Sequence, residues 1–308
     1  MTAPGKKPPY MTPTGLRTAV KNIASTQTAR TTPRALATDI ILDNITVAYE
    51  GIPILKDLTG RFKAGSLTAL VGPNGGGKST LLKAIMGMLS LKKGSITPHP
   101  TRRPGAPRCA YLPQISTVDH SFPLIVRDVV ALGLCSQQGF FTSLGRNAYT
   151  RTMAALEMVG MHEYSETHLG ALSGGQLQRI LFARLSLQEA DVILLDEPFA
   201  AIDAHTTQDL LALVQMWHKM GKTIIAVLHH DGLVREYFPE TLMLARKIIA
   251  WGDTNTILTP AHHARAQEYA ALWGNGTRHQ NTPDHDPHDR HKQNVPAQRE
   301  DEQDPKHV

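Results

Sequence analysis

An α/β domain with a buried sheet and a helical insertion is the fold that the sequence predicts. Three observations lead there. Two apolar runs, "DVILLDEP" and "KTIIAVLHH", read as fully buried strands. An amphipathic helix, "TTQDLLALVQMWHKMG", lies between them and closes at Gly221. A glycine-rich turn also joins the strand "SLTALVG" to the helix "KSTLLKAIMGML". Buried strands that alternate with helices make a layered α/β sheet.

Taken in order, residues 1–38 are rich in Thr, Pro and Ala without sustained periodicity, and are expected to be disordered. They hold Lys6, Lys7, Arg17, Lys21, Arg30 and Arg34 and no acid, so this arm alone carries +6. The whole chain carries +5, which leaves 26 basic against 27 acidic side chains in the remainder. A body so near neutrality gives no electrostatic case for nucleic acid. The arm reads as a solubilising tail, as a contact for anionic lipid or a partner, or, being acid-free, as something like a transit peptide. Order is expected to begin near Ile40 with the strand "IILDNITVAYE", followed by a turn near Gly51–Pro53 and then "SLTALVG". Residues 115–171 read as mainly helical, including "VRDVVALGL" and "TRTMAALEMVG", and form a helical subdomain within a domain of residues 39–255. Short β-like runs, "TLMLA" and "KIIAWG", complete that body. Residues 256–274 read as a helical extension, and 275–308 as a disordered, histidine-rich tail. There His279, His285, His288 and His291, interleaved with Asp284, Asp286 and Asp289, suit either a divalent metal or a solvated spacer.

No run approaches the length of an apolar membrane span, and no secretory signal is apparent. Cys109 and Cys135 are too few for a disulfide framework and read as reduced thiols in a cytosol.

The chemistry is concentrated in three motifs. "GPNGGGKST", Gly72 to Thr80, fits G-x-x-x-x-G-K-[ST] between a strand and a helix. Gly72, Gly75, Gly76 and Gly77, with Pro73 and Asn74 between them in the loop, let backbone N–H groups converge on phosphate oxygens at a helix N-terminus. Lys78 supplies charge to the β- and γ-phosphates, and Ser79 offers a hydroxyl to Mg²⁺. In "VILLDEP", the apolar strand ends in Asp196, which can orient Mg²⁺, and Glu197, which can polarise an attacking water. In "LSGGQLQR", Ser173, Gly174, Gly175 and Gln176 make a second anion-binding turn before a helix. One nucleotide does not need two phosphate cradles, so the second is expected to serve a neighbouring copy.

At these residues the chain resembles the nucleotide-binding subunits of ABC (ATP-binding cassette) transporters, over roughly residues 40–255. The resemblance implies a P-loop NTPase fold of the ABC type: a mixed sheet with an antiparallel β part and a helical subdomain. It implies ATP and Mg²⁺ as cofactors, and a head-to-tail dimer of two copies that sandwiches two ATP molecules. By the same resemblance, "VILLDEP" is the Walker B motif, Tyr49 stacks on adenine, Gln114 in "YLPQ" contacts Mg²⁺ and links the helical subdomain to the pore, and Asp203 in "AAID" is the aspartate of the loop after Walker B. Here the chain departs from Ser-x-Leu-Asp, so Ala201 and Ile202 receive no polar role. Gly76 stands where Ala is common in the family, a change that the cradle is expected to absorb.

With one set of motifs and no membrane span, the functional unit is expected to need a second copy, an integral-membrane permease and, indirectly, an extracytoplasmic metal-binding protein. Separate subunits of this build resemble those of prokaryotic importers, at the cytoplasmic face of the inner membrane. "YLPQISTVDHSFPLIVRDVVALGL", "EPFAAIDAHTTQDLLALV" and "VREYFPETLMLARKIIAWGD" resemble the zinc and manganese uptake branch, with zinc favoured in part by the histidine-rich tail. Manganese or an iron chelate is the alternative cargo. An exporter, or a non-transport ABC ATPase acting on nucleic acid or ribosomes, is the rival reading.

The family also places a switch histidine after the strand that follows Walker B. Counting from Gly221-Lys222-Thr223 selects His229, whereas counting back from Asp231 selects His230. Strand register favours His229, because a slip of one residue turns the side chain to the other face. The same alternation argues against a zinc site made of the pair.

Overall fold

The computed structural model describes residues 39–98, 108–115, 123–138 and 146–276. The expectations for the basic arm and for the four tail histidines lie outside these residues. The chain opens with β1 (Ile40–Tyr49), β2 (Ile52–Phe62) and β3 (Leu67–Val71), then α1 (Lys78–Ile85), β4 (Lys93–Thr97) and β5 (Cys109–Leu112). Helices α2 (Val126–Gln138) and α3 (Arg146–Met158) follow, with single 3₁₀ turns at His162–Tyr164 and Leu169–Ala171. Next come α4 (Gly174–Leu187), β6 (Val192–Asp196), α5 (Ala204–Lys219), β7 (Thr223–Val227) and α6 (Asp231–Tyr237). The last elements are β8 (Glu240–Ala245), β9 (Lys247–Asp253), α7 (Thr254–Ile257) and α8 (Pro260–Gly276). Among the described residues no helix is long and apolar enough to cross a membrane.

Two sheets form: an antiparallel one in the order β2-β1-β4, and a six-stranded one in the order β5-β6-β7-β3-β8-β9. The larger sheet is parallel except at its edge, where β9 pairs antiparallel with β8. Alternation along its strands splits the core in two. Leu67, Ala69, Val71, Ile193, Leu195, Ile224 and Ala226 join the cluster beside α2–α5. Leu70, Val192, Leu194, Ile225 and Val227 join a second cluster with α1 and the antiparallel sheet. Helix α1 thus contributes Leu81, Leu82, Ala84 and Ile85 to a layer shared with both sheets, which anchors its N-terminus at the end of β3.

Strands β4 and β5 have no counterpart in the sequence expectation, and three further differences bear on the site. Strand β2 was not anticipated, since Lys56, Asp57 and Arg61 interrupt its apolar positions; only Leu55, Leu58 and Phe62 point into the core. Helix α1 stops at Ile85 instead of running on to Leu89. Gly87 adopts φ +75, and the N–H groups of Gly87 and Met88 turn back to the carbonyls of Ala84 and Lys83 at 3.0 and 2.9 Å. That arrangement is a Schellman stop. Strand β7 ends at Val227, paired with Asp196 on β6, and its neighbours run out at the same level. His229 and His230 therefore lie beyond the strand, in the segment that leads into α6.

Candidate functional site

A cavity of about 720 Å³ lies at the carboxyl ends of β3, β6 and β7. The phosphate loop from Asn74 to Thr80 lines it together with Ile54, Gln114, Glu197, His229 and Arg246. The loop is shaped by close backbone contact with the β8–β9 turn. The Arg246 N–H donates to the Gly76 carbonyl at 2.7 Å. A Cβ on Gly72, where φ is +142, would come within 2.0 Å of the Leu244 carbonyl oxygen. On Gly76 it would meet the carbonyl oxygens of Pro73 and Leu244 at 2.8 and 2.9 Å. An added methyl group at Gly76 would thus require one of these backbone carbonyls to shift.

Gly77 precedes α1 without a side-chain cap, which leaves the first helical N–H groups to face the cavity end of the helix. Such a terminus, with bare glycines before it, fits an anionic phosphate chain. Lys78 is only 6% exposed, and its ammonium donates to the Gly72 and Pro73 carbonyls, both at 2.9 Å. Burial lowers its pKa, against the opposing pull of Glu197 and Asp196.

Asp196, 3% exposed, ends β6 beside that loop. Ser79 Oγ donates to its Oδ1, and the Tyr111 hydroxyl donates to its Oδ2, each at 2.9 Å. Burial raises the Asp196 pKa, the two hydroxyl donors pull it back, and Glu197 adds to the rise. A buried carboxylate paired with a hydroxyl is the hard oxygen donor set that Mg²⁺ takes, so the residues fit that ion.

Glu197 sits in the left-handed region at φ +50. Both its oxygens are engaged: Gln114 Nε2 donates to Oε2 at 2.9 Å, and His229 Nε2 stands 2.8 Å from Oε1. His230 makes no side-chain cap at the start of α6 and is exposed. Among the described residues no group of three or more His, Cys, Asp or Glu side chains is placed to hold a metal ion.

The other predicted residues lie apart from this cavity's lining. Tyr49 is 68% exposed at the end of β1. Ser173 caps α4 in a reciprocal box with Gln176: the Ser173 N–H donates to Gln176 Oε1 at 2.9 Å, and the Gln176 N–H to Ser173 Oγ at 3.3 Å. Gly174 and Gly175 form the first turn of α4. Asp203 caps α5, accepting from the Thr206 N–H and hydroxyl at 2.9 and 2.8 Å, bonds that hold its carboxyl below the usual range. Gly175 faces this cap, since a Cβ there would lie 3.6 Å from Asp203 Oδ2. Two residues escaped the sequence reading. Tyr111 lies inside the quoted "YLPQ", three positions before Gln114, and the pairing of β5 with β6 was the missing signal. Arg246 occupies a hairpin turn at φ +60, and its Nη1 donates to the Pro53 carbonyl at 3.2 Å.

Residues 55–200 match the family described as ABC transporter. The zinc transport system ATP-binding protein TroB of Treponema pallidum is 39% identical over 236 residues, covering 75% of this chain and 88% of TroB. The manganese transport system ATP-binding protein MntB of Bacillus subtilis is 37% identical, over 71% of this chain and 88% of MntB. Among solved structures, a metal-chelate type ABC transporter in an inward-facing conformation matches at 26% identity with TM-score 0.65, over 74% of this chain and 88% of that one. A dimeric ATP-binding cassette in a post-hydrolysis state with ADP and Pi shares the fold, at 23% identity and TM-score 0.62, over 70% of this chain and 98% of that one. With relatives this similar over most of their length, the chain belongs to the ABC transporter family of ATP-binding proteins.

Proposed function

We propose that the chain is the ATP-hydrolysing subunit of a membrane importer for a divalent transition metal, with zinc as the first candidate cargo and manganese as the second. The observation that carries the hydrolytic part is the engagement of both Glu197 oxygens, by Gln114 and His229, beside the phosphate loop. The names of the relatives, one a zinc and one a manganese system, support the metal.

Bound ATP with Mg²⁺ supplies the phosphoryl group and the charge neutralisation; the chain supplies position. Lys78 offers its ammonium to the phosphate chain, while Ser79 and Asp196 are the residues that would hold Mg²⁺. Glu197 orients and polarises the attacking water, and His229 keeps its carboxylate turned toward the cavity. Ser173 to Gln176 sit outside the cavity lined by their own phosphate loop, which supports a head-to-tail dimer in which each copy completes the other's site. Helices α2 and α3 belong to the unit that would meet a permease at the inner membrane, with an extracytoplasmic metal-binding protein delivering the cargo.

The test is uptake of radiolabelled zinc against radiolabelled manganese in cells with and without the gene. Loss of zinc uptake on deletion, restored by the wild-type chain and not by Glu197→Gln, is expected. Unchanged uptake of both metals would refute the import reading.

A further inference from the structure

The short segment from Tyr111 to Gln114 grips both carboxylates at the end of β6. Its first residue donates to Asp196 Oδ2 and its last to Glu197 Oε2, each at 2.9 Å. The geometry follows from the sheet. Strand β5 pairs parallel with β6 in the register Tyr111↔Leu194 and Leu112↔Leu195, so its end arrives level with the Asp196–Glu197 pair. Tyr111 is the last residue but one of β5, and its ring spans the step from Leu194 to Asp196.

The two oxygens of Asp196 are thus held by donors of different origin. Ser79 Oγ, on Oδ1, belongs to the phosphate loop. The Tyr111 hydroxyl, on Oδ2, comes off β5, a strand that does not line the cavity. A carboxylate held at one oxygen rotates about its terminal bond; one held at both oxygens by different elements has a fixed plane. With Asp196 almost wholly buried, a lost donor leaves a costly unpaired carboxylate oxygen.

We propose that Tyr111 is a positioning residue for the Mg²⁺ end of the site: it fixes the plane of Asp196, so that cation affinity depends on it while nucleotide affinity does not. The inference rests on the assignment of Ser79 and Asp196 to the cation. Groups that orient a metal-binding carboxylate from behind contribute about 10- to 100-fold to metal affinity.

The probe is Mn²⁺, followed by its electron paramagnetic resonance in the presence of a non-hydrolysable ATP analogue. Nucleotide affinity is measured separately by fluorescence with EDTA present. Tyr111→Phe removes a single oxygen atom and is expected to weaken Mn²⁺ binding about 10-fold, with EDTA-nucleotide affinity within about twofold of wild type. In an Asp196→Asn background the same substitution should add nothing. Thermal melts establish that each variant is folded; if Tyr111→Phe is not, Tyr111→Leu, which also lacks the hydroxyl, takes its place under the same criterion. If Ser79→Ala and Asp196→Asn leave Mn²⁺ affinity unchanged, the cation assignment itself fails. If they weaken it while the Tyr111 variant binds Mn²⁺ like wild type, or if the Tyr111 variant loses nucleotide and cation in equal measure, the role given to Tyr111 is overturned.

Discussion

Glu197 is constrained in both backbone and side chain. Its left-handed φ costs about 1–3 kcal/mol in general terms, a strain maintained where the side chain has a task. Glu197→Gln preserves the shape and the contact with His229 but removes the charge that polarises water. It should bind ATP normally and lose about 100- to 10,000-fold in turnover, measured as phosphate release under saturating ATP. The adjacent histidines should separate cleanly. His229→Ala removes the imidazole that stands 2.8 Å from Glu197 and should lower hydrolysis by at least about tenfold, while His230→Ala should stay within about twofold of wild type. A reversed pattern would show that the wrong imidazole serves the cavity. The sequence-based choice of His229 relied on strand alternation, yet β7 stops at Val227 and neither histidine is on it. What distinguishes them is reach to Glu197, which only the folded chain displays. Tyr111 was illegible for a similar reason: its phenol becomes meaningful only once β5 lies beside β6.

Helix α4 begins with a cap to which two jobs fall, closing the helix end and serving the partner's nucleotide in the proposed dimer, and they can be separated. Ser173→Ala deletes the capping box with Gln176 and should cost about 1 kcal/mol in denaturant unfolding of the nucleotide-free monomer. Nucleotide is absent from that measurement, so the loss reports the helix alone. The phosphate loop offers a second separation. Gly76→Ala drives a methyl group against two backbone carbonyls and should destabilise by about 1–3 kcal/mol while weakening nucleotide binding. Full tolerance would mean that the β8–β9 turn yields more readily than its hydrogen bond to Gly76 implies. At this scale the apolar, regular elements were legible: β3, β6, β7, α5 and the start of α1 all follow from periodicity and end signals. Strand β2 was hidden because its outward positions are charged, and the stop of α1 because its deciding feature is the left-handed Gly87.

For the molecule as a whole, the site is a stability burden in the absence of ligand. Burial holds the Asp196 pKa above its ordinary value of 3.8. The native state therefore keeps a proton that the unfolded chain releases, and stability falls as pH rises through the interval between the two values. Above that interval the full penalty applies; below pH 3.8 it vanishes, because both states are protonated. Asp196→Asn should accordingly stabilise the nucleotide-free protein at neutral pH by on the order of 1 kcal/mol, with the gain shrinking as the melts are repeated toward pH 4. The α/β class and the family were legible in the sequence, while the strand order was not, because pairings such as Leu70 with Val227 and with Leu242 join residues far apart in the chain. That order also sets a timetable for synthesis. The phosphate loop is fully synthesised by Thr80, but the wall that shapes it, Leu244 to Arg246, emerges last among the segments that flank β3. A nascent chain arrested after β7 carries the whole phosphate motif without the β8–β9 wall against which Gly72 and Gly76 pack. Retention on immobilised ATP should therefore begin only with arrest points beyond β9, and the nascent chain should pass through most of its synthesis without competing for the nucleotide.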